Sequence, residues 1–174
     1  EDLREAVRLL QLAADKGCTD AYKYLGIFYE SGKGVDADIG EAIRYYRLAA
    51  EMHDSSSALH LAMLYLDGTV VDKDEEEGIR YLELAVDLGN GQATQQLGMY
   101  YYIGTFVDQD LDEALRLFHL AYRMGYRKGI IQYAFCLQFG IGVNRNRGLA
   151  ASLFREAVEE GGEQKSEALR CLSS

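Results

Sequence analysis

The 174-residue sequence contains no proline, which argues against a loop-rich or linker-rich chain. It has no apolar run near the roughly 18 residues that a membrane-spanning helix needs. Cysteine is sparse: Cys18, Cys136 and Cys171 are an odd number without short spacing, so they form neither a disulfide framework nor a metal-binding set. There is no Asn-x-Ser/Thr acceptor. Together with the cysteine usage, this leans toward a reducing, intracellular setting. Basic residues are outnumbered, 18 against 28 acidic ones. The resulting charge of −10 argues against nucleic acid as a partner, because phosphate contacts need clustered Lys and Arg. The imbalance is local. Residues 1–90 carry 9 basic and 19 acidic side chains, a net of 9 − 19 = −10, and residues 91–174 carry 9 of each. An acidic first half would steer a basic partner toward itself, or would simply keep the surface solvated.

What is present is self-similarity. Val35, Val71, Val107 and Val143 recur every 36 residues, as do Gly32, Gly68, Gly104 and Gly140. Ala13, Ala49, Ala85, Ala121 and Ala157 keep the same step. A fixed period of this length marks a repeat array. Each unit reads as two helices. In the first, Ala21, Leu25, Phe28 and Tyr29 share one face of a helix from about Asp20 to Ser31. After the loop GKGV, a second helix from about Asp38 to Met52 buries Ala42, Tyr45, Tyr46, Ala49 and Met52. Capping boxes are expected at Asp38/Glu41, Asp74/Glu77 and Asp110/Glu113. Glycine C-caps are expected at Gly17, Gly89, Gly125 and Gly161, with His53 as a poorer substitute. Gly26, Ala62, Gly98 and Ala134 are small enough to let the second helix approach closely. One hairpin cannot bury both its faces, but a stack of them can. The expected fold is therefore all-α, a solenoid of antiparallel helix hairpins.

The pattern A-x-x-x-L-G-x-x-Y-x-x-G-x-G-V followed by A-x-x-Y-Y-x-x-A-A resembles the Sel-1-like repeat, a relative of the tetratricopeptide repeat. It reads AYKYLGIFYESGKGV and AIRYYRLAA in the first full unit, and ATQQLGMYYYIGTFV and ALRLFHLAY in the third. Two units are looser: Ser57 and Gly129 replace the first alanine, and Gly78 weakens a second helix. The resemblance implies a right-handed α-solenoid with repeats at 19–54, 55–90, 91–126 and 127–162. Residues 1–18 would be the second helix of a partial repeat, and 163–174 a capping helix. It also implies a non-catalytic adaptor that binds a protein or peptide. The paired cysteines of the cysteine-rich bacterial branch are missing.

The GKGV loop is not a phosphate cradle. A phosphate loop needs G-x-x-x-x-G-K-[ST], whereas Lys33 has no counterpart in GTVV, GTFV or GIGV and no hydroxyl follows it. His53, His60 and His119 show no metal-ligand spacing. The run Asp72, Asp74, Glu75, Glu76, Glu77 lacks the glycine and final glutamate of a calcium loop and reads as a capped, solvated helix start. No catalytic residues, metal or cofactor are expected.

By analogy with tetratricopeptide arrays, the unpacked face of each first helix lines a concave groove. It reads Lys23, Ile27, Glu30, Ser31, and then Leu59, Met63, Leu66, Asp67. The third and fourth units read Gln95, Met99, Tyr102, Ile103 and Ile131, Phe135, Gln138, Phe139. The candidate partner-binding residues are Leu59, Met63, Leu66, Met99, Tyr102, Ile103, Ile131, Phe135 and Phe139, a surface fit for an amphipathic helix or apolar peptide. Tight curvature would instead bury them between neighbouring first helices. Glu156 and Glu160 replace the leucine and methionine of earlier second helices. The array is therefore expected to end there, under a lid at about Ser166 to Leu172 with Ala168, Leu169 and Leu172 facing inward. Glu1 to Gly17 lacks its first-helix partner, so the chain reads as the C-terminal part of a longer protein or as a subunit resting on a neighbour. The alternatives to the adaptor are a structural subunit docked through that end, or an interaction domain attached to a catalytic domain outside this chain.

Overall fold

A computed structural model describes residues 2–159. Among them there are nine α-helices and no strand. They are α1 (Leu3–Ala14), α2 (Thr19–Ser31), α3 (Ile39–Glu51), α4 (Ser55–Asp67), α5 (Glu75–Asp87), α6 (Gly91–Ile103), α7 (Leu111–Arg123), α8 (Arg127–Phe139) and α9 (Arg147–Glu159). No described helix is long and apolar enough to cross a membrane.

The chain divides into two compact units, Glu1–Asn90 and Gly91–Ser174. In unit 1, α2 pairs with α3 and α4 with α5, while α1 packs on α2 and α3 on α4. In unit 2, α6 pairs with α7 and α8 with α9, and α7 packs on α8. Within each unit, then, every hairpin supplies apolar wall to the next.

The hairpins interlock through size-matched pairs. A methyl group added at Gly26 would lie 2.6 Å from the Tyr46 ring, and one at Gly98 2.9 Å from the Phe118 ring. At these two positions glycine leaves room for a large aromatic ring. Gly78 obeys the same logic. Sequence alone marks it as a helix weakener, but an added methyl would sit 2.6 Å from Leu66 Cγ, so the missing side chain makes room for Leu66.

The turns follow the expected chemistry with one correction. Asp38 and Asp74 each accept from the backbone N–H three residues on, Glu41 at 3.0 Å and Glu77 at 3.0 Å. Asp110 accepts from Asp112 and Glu113. The return half of the capping box does not form. The N–H groups of Asp38, Asp74 and Asp110 already donate to the carbonyls of Tyr29, Tyr65 and Tyr101 on the preceding helix. The glutamates turn forward instead and grip Arg44, Arg80 and Arg116. Asn146 caps α9 in the same way, accepting from Leu149 N–H and donating to the Leu137 carbonyl. That cap is not apparent from a search for Asp-x-x-Glu.

In the opening GKGV loop, Gly32 closes α2 at φ 65° and Gly34 follows at φ 73°. An added methyl at Gly34 would lie 2.5 Å from the Leu3 carbonyl oxygen. His53 adopts the left-handed conformation at φ 67°, the place that glycine fills elsewhere. Met52, expected in the core, is exposed because α3 ends one residue before it. Glu160, Gly161 and the expected lid helix in 163–174 lie outside the described residues.

Candidate functional site

In unit 2, the inner faces of α6 and α8 converge with α7 on an open cavity of about 250 Å³. Its walls are Met99, Tyr102, Phe118, Ile131, Gln132, Phe135 and Cys136. The helical period places Met99 and Tyr102 on one stripe of α6, and Ile131, Gln132, Phe135 and Cys136 on one stripe of α8. Phe118 reaches in from α7, its ring 6.5 Å from that of Tyr102. Burial pushes the Cys136 thiol up to about 11, so it remains protonated at neutral pH. Gln132 Oε1 is buried and has no hydrogen-bond partner among the described residues.

The nine groove residues expected from sequence do not share one environment. Ile103, at 58 % exposure, and Phe139, at 52 %, are open to solvent, and Met63 and Phe135 are partly so. Phe135 and Phe139 form an aromatic pair with centroids 4.6 Å apart. Met99 and Tyr102 are half-buried at the cavity. Leu59, Leu66 and Ile131 are buried, with Leu66 at 4 % and Ile131 at 3 %, and so are not free surface. Leu66 turns onto Gly78, and Ile131 joins the core of Ile130, Ala134, Leu137, Leu153 and Phe154.

The repeat supplies a built-in control. Positions 72 residues upstream of the cavity walls are Ile27, Glu30, Tyr46, Leu59, His60, Met63 and Leu64, all in unit 1. There the Tyr46 hydroxyl donates to Glu30 Oε2 at 2.7 Å, and His60 Nε2 lies 2.8 Å from the same oxygen. A carboxylate oxygen only accepts, so His60 Nε2 carries the proton. The His60 ring packs on Tyr46 with centroids 4.6 Å apart. Burial first, and then the Glu30 carboxylate, raise the Tyr46 pKa. Unit 2 has Phe118 without a hydroxyl, Tyr102 in place of the carboxylate and Gln132 in place of the imidazole. A polar knot in one unit is a hole in the other.

Sequence reasoning found the α6 and α8 face but did not single out Phe118, Gln132 or Cys136 as part of a site. The signal that finds them is the paired exchange of Tyr46 and His60 for Phe118 and Gln132 at one repeat offset. Among the described residues, no group of three His, Cys, Asp or Glu side chains is placed to hold a metal ion. His119 lies exposed on α7, its ring tilted against that of Tyr133 with centroids 4.7 Å apart.

Helix hairpins in a 36-residue register, tied by N-cap to carbonyl bonds and by size-matched contacts, define an all-α repeat scaffold. The chain belongs to the Sel1 repeat family, whose model matches residues 1–18, 19–54, 55–90, 91–126 and 128–162. The fold is similar to a Sel1 repeat protein from Oxalobacter formigenes, with a TM-score of 0.81 and 28% identity over 92% of this chain and 66% of that one. It is also similar to c5321, a protective antigen of uropathogenic Escherichia coli displaying an SLR fold. That match has a TM-score of 0.88 and 29% identity over 98% of this chain. The cysteine rich protein B of Helicobacter pylori aligns at a TM-score of 0.59 and 26% identity, over 78% of this chain and 96% of that one. The chain thus spans 66% of the length of the Oxalobacter protein and 36% of that of c5321. No curated protein matches it. Sel1 repeat proteins are generally protein-interaction scaffolds and are typically non-catalytic.

Proposed function

We propose that the chain is a non-catalytic adaptor that binds a protein or peptide partner on the first helices of its repeats, anchored in unit 2. The observation that carries this reading is the open, apolar-walled cavity beside the exposed Phe135–Phe139 pair. Aromatic rings and a methionine around a cleft present large contact area at low entropic cost, and the methionine adapts its shape to the ligand. Met99, Tyr102, Ile103, Phe135 and Phe139 make the contact surface. Ile131 is its floor. In unit 1, Met63 is the exposed member, while Leu59 and Leu66 support the face from beneath. The expected ligand is an amphipathic helix or apolar peptide with side-chain anchors on one stripe.

Selection of a random peptide library on the folded chain, followed by NMR mapping of the selected peptides, tests the reading. Peptides with periodic apolar anchors should be enriched, and they should shift the signals of Met99, Tyr102, Phe135 and Phe139. Selected peptides that map to the outer faces of α3 and α5 would contradict it.

A second reading rests on α1, where Leu3, Leu9 and Leu12 are exposed. In that reading, another subunit covers this helix and the chain is a structural part of an assembly. Sedimentation separates the two: a monomer across the accessible concentration range supports the adaptor, and association abolished by Leu9→Glu supports the subunit.

A further inference from the structure

The unit 2 cavity holds more chemistry than an apolar groove requires. A buried acceptor without a donor is unfavourable; Gln132 lines the cavity, and its Oε1 is buried with no hydrogen-bond partner among the described residues. At about 250 Å³, the space lies just below the roughly 300–1,000 Å³ of sites that enclose whole small molecules, so it suits a single large side chain.

An occupant that brings a hydrogen-bond donor on an apolar body can satisfy that oxygen while filling the walls. Lysine and arginine are the poorer fit, because they are charged. No carboxylate lines the cavity, and a cation there would lose its hydration without a counter-ion. Phenylalanine and the aliphatic side chains fill the walls but leave the Gln132 oxygen orphaned. A tyrosine hydroxyl brings an extra acceptor along with its donor, whereas indole N–H is donor only. The three rings of Tyr102, Phe118 and Phe135 and the Met99 sulfur are good partners for an indole face. Unit 1 shows the same solution made internally. There an aromatic ring nitrogen, His60 Nε2, donates to the acceptor Glu30 while the ring packs on Tyr46. In unit 2 the position of His60 is held by Gln132, and no ring of this chain takes its place among the cavity walls.

We propose that the unit 2 cavity takes a tryptophan side chain of the partner, its indole N–H donating to the side-chain carbonyl of Gln132. The terminal amide torsion of glutamine is soft and roughly two-fold, so a rotation there aims the oxygen at the incoming donor. This proposal rests on the reading of the unit 2 face as the partner-binding surface and adds the identity of its anchor.

The test uses three small probes on the whole chain: N-acetyltryptophanamide, its 1-methylindole analogue and N-acetylphenylalaninamide. The chain contains no tryptophan, so indole emission reports the probe alone, and NMR of the Gln132 side-chain amide and the Ile131 and Met99 methyls locates it. The expected result is binding of the tryptophan probe in the cavity about tenfold tighter than either of the others, the worth of one net hydrogen bond. Gln132→Leu should abolish that preference while retaining binding. Equal affinity of all three at the cavity would overturn the tryptophan assignment and leave the apolar adaptor reading standing. Probe signals confined to other surfaces would also overturn it. Failure of the adaptor reading is read separately, from selected peptides that avoid Phe135 and Phe139.

Discussion

Units 1 and 2 are built from the same hairpin, yet they spend one set of positions in opposite ways. In unit 1, Tyr46, Glu30 and His60 satisfy one another, and the unit carries the whole net charge of the chain. In unit 2, Phe118, Tyr102 and Gln132 stand at the same places around an open space, and the acidic and basic residues balance. Packing positions shared by both units, such as Ala49 and Ala121, are fully buried in each. Where two copies of one framework agree, the residues serve the fold. Where they diverge together, in three slots at once, the difference is a satisfied polar cluster in one unit and a cavity in the other, and the proposed function rests on that difference.

The largest effect that sharpens this comparison is steric. Gly26→Ala and Gly98→Ala place a methyl against Tyr46 and Phe118 respectively. Overpacking costs about 1–3 kcal/mol. Tyr46 is held by Glu30 and cannot retreat, whereas Phe118 borders the cavity and can shift into it. Urea unfolding should show Gly26→Ala near the upper end of that range and Gly98→Ala near the lower. Equal losses would break the comparison.

Next, Tyr46→Phe converts the unit 1 knot toward the unit 2 arrangement. It removes a hydrogen bond to a partly buried carboxylate and should cost about 1.5–3 kcal/mol by the same assay. Phe118→Tyr should give no matching gain, because Tyr102 offers no carboxylate.

A gain of about 1 kcal/mol is expected for His53→Gly, which relieves a left-handed non-glycine residue that no hydrogen bond of its side chain compensates among those described. An unchanged melting temperature would contradict that account of the turn.

The smallest effect concerns acid. Chiefly through the hydrogen bonds from Arg80, the Glu77 carboxyl is held below its ordinary value of 4.5. A depressed folded-state value means that the stabilisation is complete above pH 4.5 and is lost as pH falls through the lower, folded-state value. Glu77→Gln should flatten that acid limb by a few tenths of a kcal/mol, as is usual for exposed i,i+3 pairs.

Much of the fold was legible because a repeat states its rules several times. Gly32, Gly68 and Gly140 close helices in the left-handed conformation, and Asp38, Asp74 and Asp110 cap the next ones. What was not legible depends on contacts at long sequence separation. Leu66 looked like groove because helical periodicity places it on the face of Ile27 and Met63; only the pairing with Gly78 shows that it turns inward. The return half of the capping box was invisible for a similar reason, since the competing Tyr29, Tyr65 and Tyr101 carbonyls lie on another helix. Gln132 was not legible because the same residue type stands at Gln96, where the amide N–H donates to the Tyr100 hydroxyl, and periodicity does not reveal that the Gln132 oxygen is buried without a partner.

The most direct test of the central claim compares equivalent positions in the two units. Affinities of a selected peptide would be measured for Met63→Asp in unit 1 and Phe135→Asp in unit 2, with helicity checked by circular dichroism. The account predicts a loss of at least about thirtyfold for Phe135→Asp, the scale of a binding hot spot, and a loss of less than about fivefold for Met63→Asp, with helicity retained in both. Equal losses, or a larger loss at Met63, would contradict it.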